Sequence, residues 1–284
     1  MSHCLNLRYL AVDQNRLSTV EGLHALRQLD VLSIRRQIPK DDTHATTVFD
    51  QQLHVRTLYM SSNAFPTLEL PHFYHSIQTL ELASCGLQEL PSDFGLRIPN
   101  LRTLNLNFNA LKDIRPLLNI ANLETLLVAG NRIARLRKTV AVLARVSHLL
   151  KLDLRDNPVT LGFYPPHHSL QKEQSLLPAK CALALRETDT ELQVQERAAH
   201  AYLLPAADSE ADAEHLARLD EETKLKRRVY ELMLGHGCKV LRELDGLLWE
   251  KEHLLIKDRI WERLVALGVI KRSGHVGDLA EMEA

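Results

Sequence analysis

Cysteine is scarce in this chain, with four in 284 residues, at Cys4, Cys85, Cys181 and Cys238. They are scattered and form no CxxC pair, which excludes a disulfide framework and gives no sign of a zinc site. There is no Asn-x-Ser/Thr glycosylation acceptor. The first residues hold no apolar stretch long enough for a signal peptide, and nothing downstream approaches a membrane span. Net charge is missing too: 35 Lys and Arg stand against 36 Asp and Glu, a formal charge of −1. A balanced chain has no broad basic field for nucleic acid or a membrane surface. The phosphate-binding Gly-rich loop, the nucleophile elbow and His-Glu-x-x-His are all absent, so no motif points to an enzyme or to a cofactor. The expectation is a cytosolic or nuclear protein that works by binding other proteins.

What the chain has in quantity is one short pattern: apolar-x-x-apolar-x-apolar-x-x-Asn-x-apolar. It occurs seven times between residues 7 and 159. A clean copy is Leu101, Leu104, Leu106, Asn109, Leu111; another is Leu149, Leu152, Leu154, Asn157, Val159. This is the leucine-rich repeat. The fourth and sixth positions of each unit point inward from a short strand, and one unit cannot bury that face alone, so coils must stack. The ninth positions read Asn15, Gln37, Asn63, Cys85, Asn109, Asn131 and Asn157, at intervals of 22, 26, 22, 24, 22 and 26 residues. An Asn there can satisfy buried backbone groups of the turn, and stacked copies form a ladder. Gln37 reads as a poorer substitute, and Pro39 replaces the apolar eleventh residue, so residues 35–52 are expected to form a distorted or looped-out coil. Units this short return along the convex side by a 3₁₀ turn or short helix. The fold class expected is an α/β solenoid: a curved, right-handed leucine-rich-repeat coil with a parallel concave β-sheet and a mostly helical C-terminal cap.

The domain reading follows. Residues 1–159 form the solenoid, with the second of seven repeats irregular. Its first coil has no polar capping element before it, which suggests the tail of a longer protein. Residues 160–208 read as a loop-rich insertion carrying Gly162-Phe163-Tyr164-Pro165-Pro166-His167-His168. Within it, residues 181–204 have some helical character. Residues 209–272 read as a helical cap and 273–284 as a disordered tail. Ser209 is the expected N-cap of a helix, with Asp212 three residues on. Leu216, Leu219, Val229, Leu232 and Met233 recur at helical spacing until Gly235 and Gly237. A further helix is expected over 252–267, with Leu254, Trp261, Leu264 and Val265 on one face and Gly268 as a left-handed C-terminal cap. This tail is expected to cover the open C-terminal end of the solenoid.

Several motifs in the tail carry a resemblance. Arg228-Val229-Tyr230-Glu231, then Leu241-Arg242-Glu243-Leu244-Asp245-Gly246-Leu247, looks like the cap of short intracellular leucine-rich repeats, such as the spliceosomal A-prime protein, axonemal dynein light chain and a phosphatase regulator. In those proteins the cap follows the last Asn-Pro almost directly; here about seventy residues intervene. More particular are Asn157-Pro158-Val159-Thr160, Gly162-Phe163-Tyr164-Pro165-Pro166, Leu219-Asp220-Glu221-Glu222-Thr223, Arg227-Arg228-Val229-Tyr230-Glu231 and Lys257-Asp258-Arg259-Ile260-Trp261. Together they are similar to the C-terminal repeat domain of fungal spindle-pole-body scaffolds of septation initiation and mitotic exit, related in animals to centriolin. The resemblance implies a non-enzymatic hub at the spindle pole body. Its partners would be an anchoring protein and a GTPase or GTPase-activating-protein module. A phosphatase regulatory subunit, favoured only by the repeat type, is the alternative, and a ribonucleoprotein component gripping a protein partner is a third.

Candidate partner-binding residues come from the columns that point outward from the concave sheet. The fifth positions are Ala11, Ser33, Tyr59, Glu81, Asn105, Leu127 and Asp153. The seventh are Asp13, Arg35, Ser61, Ala83, Asn107, Ala129 and Arg155, with Phe108 beside them. Tyr59, Leu127 and Phe108 are expected to be exposed and to resemble an aromatic–aliphatic hot spot flanked by amides. The selected set is Arg35, Tyr59, Glu81, Asn105, Phe108, Leu127, Asp153 and Arg155. Scattered apolar surface residues are also ordinary. Thr57, Thr79, Thr103 and Thr125 at third positions suit strands. Two basic edges, Arg132/Arg135/Arg137/Lys138 and Lys224/Lys226/Arg227/Arg228, could meet an acidic or phosphorylated segment, though a solvated helix face explains each. His167 and His168 lack neighbouring ligands for a metal. Tyr164 and Trp261 read as anchors of the tail against the solenoid.

Overall fold

Each repeat lays down three residues of strand because only its third to fifth positions combine a β-favouring threonine or similar residue, an inward leucine and an outward residue. The computed structural model describes residues 6–17, 20, 22–37, 53–64, 68, 70, 72–166, 202–250 and 256–269. The repeat strands are β1 Tyr9–Ala11, β2 Val31–Ser33, β3 Thr57–Tyr59, β4 Thr79–Glu81, β5 Thr103–Asn105, β6 Thr125–Leu127 and β7 Lys151–Asp153. They pair in sequence order, all parallel. Register is fixed by position in the repeat: Thr57 faces Thr79, Thr79 faces Thr103 and Thr103 faces Thr125. A one-residue slip would turn the inward leucines out, so the repeat length dictates the fold.

The inward positions form one continuous core. Leu101, Leu104, Leu106, Leu123, Leu126, Leu149, Leu152 and Leu154 are fully buried. Truncating any of them to alanine would cost about 2–5 kcal/mol. The return path is short, as the repeat length requires: 3₁₀ turns at Leu23–Ala25, Arg115–Leu117 and Pro158–Thr160, and the helices α1 Phe94–Arg97 and α2 Leu136–Leu143.

At the eighth position every coil turns through the left-handed region: Gln14, Arg36, Ser62, Ser84, Phe108, Gly130 and Asp156 all have φ between 53° and 64°. That turn swings the ninth residue inward. Asn109 accepts from Cys85 N and Leu87 N through Oδ1 and donates to Leu82 O and Leu106 O. Asn63, Asn131 and Asn157 repeat the pattern one coil apart. Gln37 is a correction to the sequence reading. Its longer side chain still donates to Val12 O and Arg35 O and accepts from Leu17 N, so it completes the ladder. Residues 38–52, expected to be looped out, lie outside the described residues, as do Pro39, His167, His168 and residues 181–201. Cys85 keeps the ladder position as a buried thiol, pushed up to about 12 by desolvation.

The C-terminal part continues the sheet. β8 Glu243–Leu244 pairs parallel with β7, and β9 Leu247–Leu248 turns back antiparallel across Asp245-Gly246. Both turn residues have positive φ, 56° and 82°, the geometry of a two-residue hairpin, which Asp-Gly favours. Over this end lie α3 Ser209–Arg218 and α4 Glu221–Gly237, with α5 Arg259–Ala266 beyond.

Three sequence expectations about these helices are corrected. The N-cap of α3 is Asp208, which accepts from Glu210 N and Ala211 N; Ser209 is already helical. The single helix expected to run from Ser209 until Gly235 and Gly237 is two. Asp220 breaks it in an extended conformation and caps α4 by accepting from Thr223 N. That helix runs through Gly235 to Gly237, where a Cβ would stand 3.0 Å from Val140 Cγ1, so the missing side chain lets α4 lie against α2. The last helix starts at Arg259 rather than 252, capped by Asp258, with residues 256–258 non-helical and Leu254 outside the described residues. Its end is as the sequence suggests. Gly268 is left-handed, with Gly268 N bonded to Val265 O and Val269 N to Leu264 O.

Candidate functional site

The concave columns do not present a bare surface. Arg35, at the seventh position of the second coil, donates from Nε and Nη2 to both carboxylate oxygens of Glu81, at 2.6 and 2.9 Å. Its guanidinium lies 4.2 Å from the centre of the Tyr59 ring. Both charged side chains are only 6% exposed. Burial works against the Arg35 charge, yet the Glu81 hydrogen bond and charge outweigh it and hold the guanidinium protonated. Three of the candidates, Arg35, Tyr59 and Glu81, thus form one locked unit spanning β2 to β4.

Polar residues further along are used internally as well. Asp13 accepts from Ser33 Oγ and Arg35 N, Ser61 Oγ from Ala83 N, and Asn107 Oδ1 from Ala129 N. Asn105 Oδ1 accepts from Asn107 N. Asp153 accepts from Arg155 N, Nε and Nη2, the last at 2.6 Å. Arg155 is 1% exposed.

The remaining donors of Asn105, Asn107 and Arg155 go to the chain itself. Residues 202–207 cross the concave face as a strap. Asn105 Nδ2 and Asn107 Nδ2 both donate to Tyr202 O at 3.1 Å. Arg155 Nη1 donates to Pro205 O at 2.9 Å. The Tyr202 ring centre is 5.6 Å from the Arg35 guanidinium, and its hydroxyl accepts from Arg36 Nε at 3.2 Å. The strap ends at the cap, where Ala207 N donates to Gly246 O. Tyr202 and Leu204 are buried.

Where the strap meets the cap, a second buried polar cluster closes the solenoid. Asp245 is fully buried and accepts from Leu154 N, Tyr164 Oη and Tyr230 Oη, each at 2.6 Å. Desolvation and the nearby Asp153 charge push its carboxyl up to about 6, against the three hydrogen bonds that favour the ionised form. Desolvation, then the Asp245 charge, pushes both tyrosines well above the ordinary range. Beside them Arg227 forms a bidentate pair with buried Asp212 at 2.9 and 2.6 Å, donates to Phe163 O and Glu231, and covers the Tyr164 ring at 4.7 Å. The Phe163 and Tyr230 rings lie 5.6 Å apart. These contacts give the Gly-Phe-Tyr-Pro-Pro, Arg-Arg-Val-Tyr-Glu and Leu-Asp-Gly segments a common purpose: they knit residues 162–164, α3, α4 and the β8–β9 turn onto the last coil.

Leu127, expected to be exposed, is buried. Tyr59 is half-buried against Arg35. Phe108 is half-buried at a left-handed turn, beside the turn of the next coil, where a Cβ on Gly130 would stand 2.7 Å from Phe108 Cδ1. The basic edge on α4 is paired: Lys224 with Glu221, exposed Lys226 with Glu222, and buried Arg227 and Arg228 with Glu231. Arg132, Arg135, Arg137 and Lys138 are exposed. Tyr164 does anchor the tail, through Asp245, while Trp261 is half-buried with the Lys257 ammonium 5.1 Å from its ring centre. Sequence reasoning missed Tyr202, Asp212 and Asp245 as site-forming residues; only the Asp245-Gly246 pair between leucines carried a readable signal. Among the described residues no group of three or more His, Cys, Asp or Glu is arranged to hold a metal ion. No helix among them is long and apolar enough to cross a membrane.

No family model matches the chain. Among solved structures it is similar to an internalin, inlF, of Listeria monocytogenes, at 18% identity over 55% of this chain and 44% of that one, with a TM-score of 0.43. A leucine-rich-repeat protein of Leptospira interrogans is similar at 23% identity over 55% of this chain and 39% of that one, with a TM-score of 0.44. The alignment with a curated relative is longer: 242 residues at 29% identity, covering 85% of this chain and 22% of the relative. The chain therefore spans about a fifth of the length of that protein. Across most of its own length, this leucine-rich-repeat chain is similar to the septation initiation network scaffold protein cdc11 of Schizosaccharomyces pombe.

Proposed function

We propose that this chain is a non-catalytic docking domain of a spindle-pole scaffold acting in septation initiation or mitotic exit. The observation that carries the reading is the similarity to the fission-yeast septation initiation scaffold over 85% of this chain. The architecture is compatible with it. A nine-stranded open sheet gives a long concave face, on which Arg35, Arg36 and Tyr59 already hold one aromatic residue of the chain, Tyr202, with the residue types that dominate interface energetics. An open sheet is also poor at excluding water, which suits binding better than chemistry. The partners proposed are an anchoring protein of the pole and a GTPase or GTPase-activating-protein module. The docking residues proposed are Arg35, Tyr59, Glu81, Asn105, Phe108, Leu127, Asp153 and Arg155, reached with the strap or after it moves.

The test is recruitment. A fluorescent fusion of the whole chain in mitotic fungal cells should gather at the spindle poles, and affinity capture should recover the anchoring protein and the GTPase module. Diffuse fluorescence together with recovery of a phosphatase catalytic subunit or spliceosomal proteins would overturn the reading.

A further inference from the structure

The strap's hydrogen bonds to the solenoid run mostly to its main chain, while the Tyr202 and Leu204 side chains are buried. Asn105 and Asn107 donate to the carbonyl of Tyr202, and Arg155 donates to the carbonyl of Pro205. All three donors belong to the solenoid, and the only strap side chain bonded on this face is the Tyr202 hydroxyl, to Arg36. Residue 205, as a proline, has no N–H to offer, and the solenoid asks for none there.

The strap is a turn and bend at residues 202 and 203 followed by an irregular run to 207. It presents the Tyr202 carbonyl to the two amides beside β5 and the Pro205 carbonyl to the Arg155 guanidinium beside β7. Any segment that takes the same path would find the same donors. Affinity would come from these main-chain bonds together with burial of the tyrosine ring and of the residue at the Leu204 position, and selectivity from the aromatic hydroxyl, which accepts from Arg36 with its ring beside the Arg35–Tyr59 stack.

We propose that the concave face is a groove for a segment bearing a tyrosine three residues before a proline, that residues 202–205 fill it as a ligand supplied in cis, and that a partner segment of the same chemistry displaces the strap. This deepens the docking function and rests on it. It predicts that docking is controlled by the chain's own competitor, because a tethered ligand acts at an effective concentration in the millimolar range. The partner must outbid the strap or arrive tethered by a second contact.

The experiment uses a fluorescent peptide of residues 201–208, titrated by anisotropy against the full chain and against a Tyr202→Ala/Leu204→Ala chain whose fold is checked by circular dichroism and thermal unfolding. The peptide should bind the strap variant about tenfold or more tightly than the wild type, because the cis competitor is weakened. Adding Asn105→Ala to the strap variant should weaken binding again, and a peptide with alanine for its tyrosine should bind poorly. If the double variant does not fold, Tyr202→Phe, which keeps the ring and removes the bond to Arg36, serves instead with the same ordering. Equal binding to wild type and strap variant, no binding to either up to millimolar peptide, or indifference to Asn105→Ala would overturn the proposal. Peptide binding reads the groove alone and spindle-pole recruitment reads the assembly, so the two readings can fail separately.

Discussion

Replacing Asp245 with alanine should loosen the cap from the last coil, and the size of the effect can be worked from its partners. The carboxylate is fully buried and receives Leu154 N, Tyr164 Oη and Tyr230 Oη. Removing it strands three buried donors, each costing about 1–3 kcal/mol; the two hydroxyls can rotate or take up water, so the total falls near 3–5 kcal/mol. That is a large share of a domain stability of roughly 5–15 kcal/mol. Asp245→Asn keeps the shape and the bond from Leu154 N, so about 1–3 kcal/mol is expected. Urea unfolding at pH 7 measures both. The asparagine variant also isolates a pH effect. The folded carboxyl sits at about 6 against an ordinary 3.8, so the folded state holds this proton more tightly than the unfolded chain. The stability it contributes is therefore full below about pH 4 and lost as the pH rises through about 6, a fall of about 3 kcal/mol. Wild-type stability minus that of Asp245→Asn should decline across this window. A difference that stays flat or climbs, or an alanine variant within about 1 kcal/mol of wild type, would refute the reasoning.

Further predictions follow from other buried contacts. Glu81→Ala leaves Arg35 buried without its bidentate partner and should cost about 3–5 kcal/mol in chemical denaturation. Gly130→Ala places a methyl at φ 64° and 2.7 Å from the Phe108 ring; about 1–3 kcal/mol should be lost, with a shift of Phe108 visible in a crystal structure. Cys85 and Cys238 are buried with thiols pushed up to about 12 by desolvation. Both should resist thiol reagents at pH 8 in the native chain and react after denaturation.

The solenoid was legible because its information is periodic. Inward leucines at fixed positions specify the strands, and constant position in the repeat specifies their register. The ladder was legible at Asn63, Asn109, Asn131 and Asn157 but underrated at Gln37, since sequence cannot show that one more methylene still reaches Val12 O and Arg35 O. The helix caps were misplaced by a residue or more: Asp208 competes with Ser209, and Asp220 interrupts a run whose apolar spacing alone looks continuous. The candidate columns share one face of the sheet, but how far their side chains are buried was not legible. Leu127 carries no mark in the sequence of being buried, nor Tyr59 of lying against the Arg35 guanidinium, and the strap that meets Asn105 is a stretch without periodicity 97 residues away. Charged residues fared worst. Arg35, Glu81, Asp212 and Arg227 each look like solvated surface in a linear reading, and each is buried against a partner that only the fold brings near; Asp153 and Arg155 pair across two residues, and only the fold buries them.

The claim most in need of a direct test is that partners dock on the concave face by displacing the strap. Hydroxyl-radical footprinting of the full chain should be measured free and bound to the pole-anchoring protein it captures. Tyr202, buried in the free chain, should be oxidised faster on binding while the coils around Asn105 and Arg155 keep or gain protection. An unchanged Tyr202, with new protection confined to the convex side or to α3 and α4, would contradict displacement of the strap.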